Sequence, residues 1–399
     1  MKKIFCAISF PVIFFELACS QEKGINYNIA DHKEISEGIV FVPEVYLNLT
    51  GSILDSDTPV TEYATSEHDP QKDFQIHPIE LHVDTQINES VSGLLYGIAL
   101  QNEDGEWETE IEEARVKYKL SDSLSIGGGQ FLNRFGFQNK SHVHMRNYIN
   151  QNLQNSRLLS DGELITRGIE FDYIPRNSLS INFATGKARL HNHGHEDHED
   201  HEEGEHGNHE VHHLEADGIN ISKWITSADV KYFLDDNETL MLSASLAVGE
   251  NEYGTNTWLY GAGIQKIWGG HDHGNGIEFC EGATKIKAET IGRNAGITHD
   301  DGDLDKVSDW GFSASLFYGL NEMTTLSVRQ EYISQLEELE LEDKHRTSFA
   351  LTRNITNNIL GRIQYDYIRN DSIQNEHALW LQFQIDIGGS HDSNSNHGH

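Results

Sequence analysis

The sequence predicts an all-β protein: a transmembrane antiparallel β-barrel of about 16 strands with a disordered His/acid-rich extracellular loop. Three observations predict it. Apolar residues recur with a period of two along most of the chain, tight turns alternate with long connections, and after the N-terminus no apolar run approaches the ~20 residues of a membrane-spanning helix.

The period shows best near the C-terminal end. Leu379, Leu381, Phe383, Ile385 and Ile387 share one face of a strand, with Trp380, Gln382, Gln384 and Asp386 on the other. Ile363, Tyr365 and Tyr367 oppose Arg362, Gln364 and Asp366, and Ile169, Phe171 and Tyr173 oppose Glu170 and Asp172. Leu240, Leu242, Ala244, Leu246 and Val248 form another single face. One apolar face at period two is the pattern of an antiparallel strand, in a soluble sandwich or in a membrane barrel.

Loop lengths separate the two. Strands are expected near 39–51, 77–89, 91–101, 108–119, 123–132, 163–174, 177–187, 221–234, 238–250, 256–268, 276–292, 310–319, 324–334, 345–354, 358–369 and 376–387. Most even-numbered strands are followed by a tight turn, such as Ser121-Asp122 or Thr356-Asn357. Odd-numbered strands are followed by 52–76, 133–162, 188–220, 293–309 and 335–344. Short turns on one rim and long loops on the other mark a transmembrane barrel, with the short turns in the periplasm. The connection 133–162 carries Phe135, Phe137, Tyr148 and Leu153, which a solvated loop does not need, and it is expected to fold partly into the lumen.

The remaining organisation follows. Residues 1–20 read as a signal peptide: Met1-Lys2-Lys3, an apolar stretch from Ile4 to Phe15, and small residues at Ala18-Cys19-Ser20. Acylation of Cys19 is the alternative. Residues 21–38 form a periplasmic N-terminal segment, 39–387 the barrel, and 388–399 a His-containing periplasmic tail. Cys280 is the one cysteine after the signal, so no internal disulfide forms. The formal net charge of −35 repels nucleic acid and attracts cations.

Histidine is concentrated. From His191 to His213 nine residues of 23 are His and eight are Asp or Glu, almost without apolar residues, so the tract cannot fold alone. Neutral imidazole is the commonest metal ligand and carboxylates raise the local cation concentration. The expected metal ligands here are His191, His193, His195, His198, His201, His206, His209, His212 and His213. His271 and His273 in a periplasmic turn, and the pair His142 and His144 in the long loop, complete the candidate set. If 142–144 is extended, its two rings lie on one side. A solvated, low-complexity loop that buffers protons is the competing explanation for the tract.

Gly128-Gly129-Gln130-Phe131-Leu132-Asn133-Arg134-Phe135-Gly136, then His142-Val143-His144 and Leu164 to Pro175, resemble a known group. These are porin-like, zinc-regulated outer-membrane β-barrel proteins, akin in style to phosphate-selective porins. The resemblance runs over nearly the whole mature chain and is most specific over 108–175. It implies a barrel and a connection to metal. Relatives carry a Trp-Asp pair and a further Asp after H-x-H, where this chain has Arg146, Asn147 and Asn150.

The expectation is therefore an outer-membrane, porin-like channel that binds and passes divalent metal ions, with Zn²⁺ foremost and its His-rich loop concentrating the metal at the mouth. Its partners would be divalent ions and outer-membrane lipid, with room for a homo-oligomer. The alternative is a surface metal buffer or adhesin anchored by the barrel. The sequence has no nucleophile elbow and no P-loop, so no catalytic residue is nominated and no enzyme is expected.

Overall fold

The computed structural model describes residues 39–54, 68–70, 74–101, 106–189, 216–235, 237–269, 281–298, 304–339, 341–370 and 375–388. The strands run β1 Val40–Leu54, β2 Gln75–Asn88, β3 Val91–Gln101, β4 Trp107–Ser121, β5 Leu124–Leu132, β6 Ile165–Arg176, β7 Leu179–Ala188 and β8 Trp224–Phe233. They continue as β9 Leu240–Glu250, β10 Asn256–Trp268, β11 Thr284–Thr298, β12 Leu304–Asn321, β13 Thr324–Ile333, β14 Lys344–Thr356, β15 Ile359–Asn370 and β16 Glu376–Ile387. Each strand pairs antiparallel with its neighbours in sequence, and β1 closes on β16 with Leu49 opposite Phe383. A closed barrel of this strand number has no free edge and is wide enough for an aqueous lumen.

The side-chain sorting is the inverse of a soluble protein's. Leu242, Leu246, Ile363, Leu379 and Leu381 are exposed, whereas Arg293, Arg329, Arg346, Glu331 and Asp366 are buried. Apolar groups facing outward from a closed sheet are solvated by lipid, and the charged face looks into the bore. Two aromatic girdles frame the apolar belt. Trp107, Trp224, Trp258 and Trp310 stand exposed toward the starts of even-numbered strands, and Tyr118, Tyr173, Trp268 and Tyr318 toward their ends. Amphipathic rings at two levels match the two interfaces of a bilayer.

Loop parity holds for most connections. The turns after β2, β4, β6, β12 and β14 are the tight ones, and the long connections 133–164 and 189–223 follow β5 and β7. One expected loop is not there. The sequence suggested a connection over 293–309, but β11 and β12 extend through most of it and leave 299–303. The polar residues that looked like loop are lumen-facing: Arg293 pairs with Asp309 across the two strands, with Nη2 to Oδ2 at 2.7 Å.

Candidate functional site in the barrel lumen

The bore is occupied by the connection between β5 and β6, as its apolar content suggested. It contains a short helix, α1, Leu153–Leu158, and turns of 3-10 helix at Val143–Met145 and Ser160–Gly162. Phe135, Leu153, Leu158, Leu159 and Leu164 pack in one apolar cluster with Ile225, Ala247, Leu259, Ile291 and Ile333 of the wall. The entry to the loop depends on glycine. Gly136 has φ 63° and donates its N–H to Ser245 Oγ at 2.9 Å, and the next N–H, of Phe137, goes to Glu289 Oε1 at 2.7 Å. A Cβ at Gly136 would sit 2.5 Å from that same carboxylate oxygen.

On one side the loop meets a wall of arginines. Arg329, Arg346 and Arg362 project inward from adjacent strands β13, β14 and β15. Their guanidiniums donate to loop carbonyls: Arg329 Nη1 to Asn150 O at 3.1 Å, Arg362 Nη2 to Arg146 O at 2.9 Å, and Arg346 to Gln151 O. Glu331 anchors the set, bonding Arg329 and Arg346 at 3.0 and 2.6 Å and accepting the Leu153 N–H at 3.0 Å.

On the other side stand carboxylates. Glu80 of β2, Glu112 and Glu113 of β4, and Glu170 and Asp172 of β6 are buried. Two consecutive inward residues break the rule that side chains alternate along a strand. The cause is a β-bulge: Tyr96 pairs with Glu113 and Gly97 with Ile111, leaving Glu112 as the extra residue. Lys140 Nζ bonds Glu113 Oε1 at 2.6 Å, and Arg115 Nη1 bonds Glu170 Oε1 at 2.6 Å.

His142 and His144 lie against the carboxylates. Val143–Met145 form a turn of 3-10 helix, so 142–144 is not the extended segment that would set both rings on one side. The rings are nevertheless nearly parallel, 6.2 Å apart at 8°. His142 stacks on Tyr96 at 3.5 Å and His144 on Tyr46 at 3.7 Å. His142 Nδ1 is 3.0 Å from Glu112 Oε2 and its Nε2 is 3.4 Å from Glu113 Oε1. Burial pushes the His142 pKa down, but its bonds to Glu112 and Glu113 outweigh this and bring it up to about 9. His144 Nδ1 faces Glu80 Oε2 at 3.3 Å, and its backbone N–H donates to the same oxygen at 3.0 Å.

Behind His142 a further cluster forms, which sequence reasoning missed. His68 Nδ1 is 3.2 Å from both Glu112 Oε1 and Glu163 Oε1. Arg146, where a Trp-Asp pair was the pattern of the resembled group, bonds Glu163 Oε1 at 3.1 Å and Asp69 Oδ1 at 3.4 Å. Asn150 donates to Asp366 Oδ2 at 2.9 Å. His191, His193, His195, His198, His201, His206, His209, His212, His213, His271 and His273 lie outside the described residues, as does Cys280.

Solved outer-membrane proteins share this architecture. The outer-membrane channel DcaP of Acinetobacter baumannii superposes with a TM-score of 0.56 at 11% identity, covering 88% of this chain and 97% of its own. The fold is that of an outer-membrane porin. A loop-deletion form of OmpT from Vibrio cholerae matches at 0.53 and 9% identity, and an anion-selective porin from Comamonas acidovorans at 0.53 and 8%, each over 88% of this chain and 99% of its own. No protein-family profile matches the chain. A tail fiber protein of Enterococcus phage phiEF24C is 28% identical over 101 residues, which is 24% of this chain, and the chain spans 6% of that protein's length. The lipid-facing belt, the two girdles and the porin fold place the barrel in the outer membrane.

Proposed function

We propose that this protein is an outer-membrane channel that binds and passes divalent metal ions, zinc foremost, with the tract 191–213 concentrating the ion at the mouth. The observation that supports the reading is the lumen itself: a folded loop lies in the bore beside the buried carboxylates Glu80, Glu112, Glu113, Glu170 and Asp172, the last three met by Lys140, Arg115 and Lys117 and the first two by the imidazoles of His144 and His142. Fixed negative charge in a low-dielectric passage enriches cations, and several weak sites in series permit flux where one tight site would block it. Two of the fold neighbours are described as a channel and as an anion-selective porin, so the architecture supports conduction and selectivity is set by the wall.

The density of bonds around the loop favours a second reading, in which the barrel anchors a surface metal buffer without conducting. Single-channel recording of the refolded protein in planar bilayers distinguishes them. A channel preferring cations, with zinc altering its current, is expected. A closed barrel would establish the anchor reading, and a preference for anions would remove metal as the cargo.

A further inference from the structure

We propose that His68, Glu112 and Glu163 form a binding site for one divalent transition-metal ion, which ties the segment 68–70 and the lumen loop to strand β4. This rests on donor geometry alone and stands whether or not the barrel conducts metal.

The three residues come from distant parts of the chain and converge with their donor atoms within 4.8 Å of one another, the one such group of three among the described residues. All three are buried. Ligand atoms bound to one tetrahedral zinc at ~2.0–2.2 Å stand roughly 3.3–3.6 Å from each other. The 3.2 Å separations from His68 Nδ1 to Glu112 Oε1 and Glu163 Oε1 are already close to that spacing. Binding thus needs little movement of the backbone.

The orientation of both carboxylates is set by second partners, as around metal centres. His142 Nδ1 holds Glu112 Oε2 at 3.0 Å, and Arg146 Nη2 holds Glu163 Oε1 at 3.1 Å. The bulge in β4 turns Glu112 inward beside Glu113, whose own charge is met by Lys140. One imidazole with two carboxylates selects borderline ions such as Zn²⁺ over Mg²⁺ or Ca²⁺, which prefer all-oxygen shells. The Arg146 guanidinium on one ligand reduces the anionic charge of the set, so the affinity is expected to be micromolar and not that of a closed structural zinc centre. Without an ion, a protonated His68 bridging the two carboxylates accounts for the same distances, and the test separates these states.

The tract must first be silenced. In a full-length protein with the nine histidines of 191–213 changed to Asn, refolded in detergent, zinc retained on equilibrium dialysis is compared with that of the same protein carrying His68→Gln or Glu163→Gln. Heat-modifiable migration confirms that each has folded. The parent is expected to bind zinc with a component that each substitution weakens about tenfold or more, the range over which even outer partners of a metal act. Co²⁺ in its place should give a d–d absorption that both substitutions remove. Zinc bound equally by all three proteins, or by none, overturns the site and leaves His68 as a proton bridge. A conductance result of either kind leaves this outcome untouched.

Discussion

Gly136 shows how much of the lumen hangs on single residues. Its positive φ costs a side chain of L configuration about 1–2 kcal/mol, and a Cβ there also collides with the Glu289 carboxylate that orders the next peptide. Gly136→Ala is expected to destabilise the barrel by about 1–3 kcal/mol in denaturant titrations in lipid vesicles and to loosen the loop. Glu331→Ala should cost more, about 3–5 kcal/mol, because it leaves two buried guanidiniums without their shared carboxylate. If that variant unfolds at the wild-type denaturant concentration, the arginine wall does not depend on Glu331. The pairing of Glu112 with Glu113 had a signal in the sequence that alternation alone passes over. The outward residues Ile111, Ala114, Val116 and Tyr118 slip by one position after Ile111, which is the trace of the bulge. The approach of His68 to the same carboxylates had none, since contacts between remote segments leave no period in a chain.

Elements carry the next level of prediction. The loop between β5 and β6 is bonded to opposite walls, so its removal should open the bore. Deleting 138–160 is expected to raise single-channel conductance several-fold, and an unchanged conductance would show that the constriction lies elsewhere. The hairpin β8–β9 turns on Asp235, which accepts bonds from the Thr239 and Leu240 N–H groups at 2.8 and 2.9 Å. Its bond from the Thr239 hydroxyl, with these N–H bonds, holds its pKa down to about 2. A depressed carboxylate stabilises the fold above its unfolded value of ~3.9, and this contribution is lost as pH falls through the folded value. The turn should therefore stay intact at pH 4 and loosen near pH 2, with a carboxyl carbon titration of Asp235 centred near that lower value as the check. Strand count and loop placement were legible in the sequence because lipid enforces period two on every strand. The extents of β11 and β12 were not, because a lumen-facing stretch such as Arg293 to Gly296 is polar for the same reason a loop is.

At the scale of the whole molecule the inverted sorting makes a plain prediction. The refolded protein should be β-rich, migrate differently on gels when heated, and require detergent or lipid, and a fully water-soluble form with native spectra would be incompatible with the belt. The tract 191–213 should add zinc binding that fails below about pH 5.5, since protonation near ~6.5 removes the imidazole lone pairs. Zinc binding by the full-length protein that persists unchanged at pH 5 would assign it to other groups. The packed loop also hides an electrical property of the barrel. Arg329, Arg346 and Arg362 line β13, β14 and β15 and Glu80, Glu113 and Glu170 line β2, β4 and β6; the loop's carbonyls, Lys140 and His144 meet part of this charge, and Glu331 and Arg115 of the wall meet more of it. Withdraw the loop and the charge it screens is left facing across the passage like the plates of a capacitor, with a field running across the bore and not along it. A dipolar solute entering such a bore would be turned crosswise before it moved forward. The open form would then sort neutral molecules by how their charge is separated as well as by size.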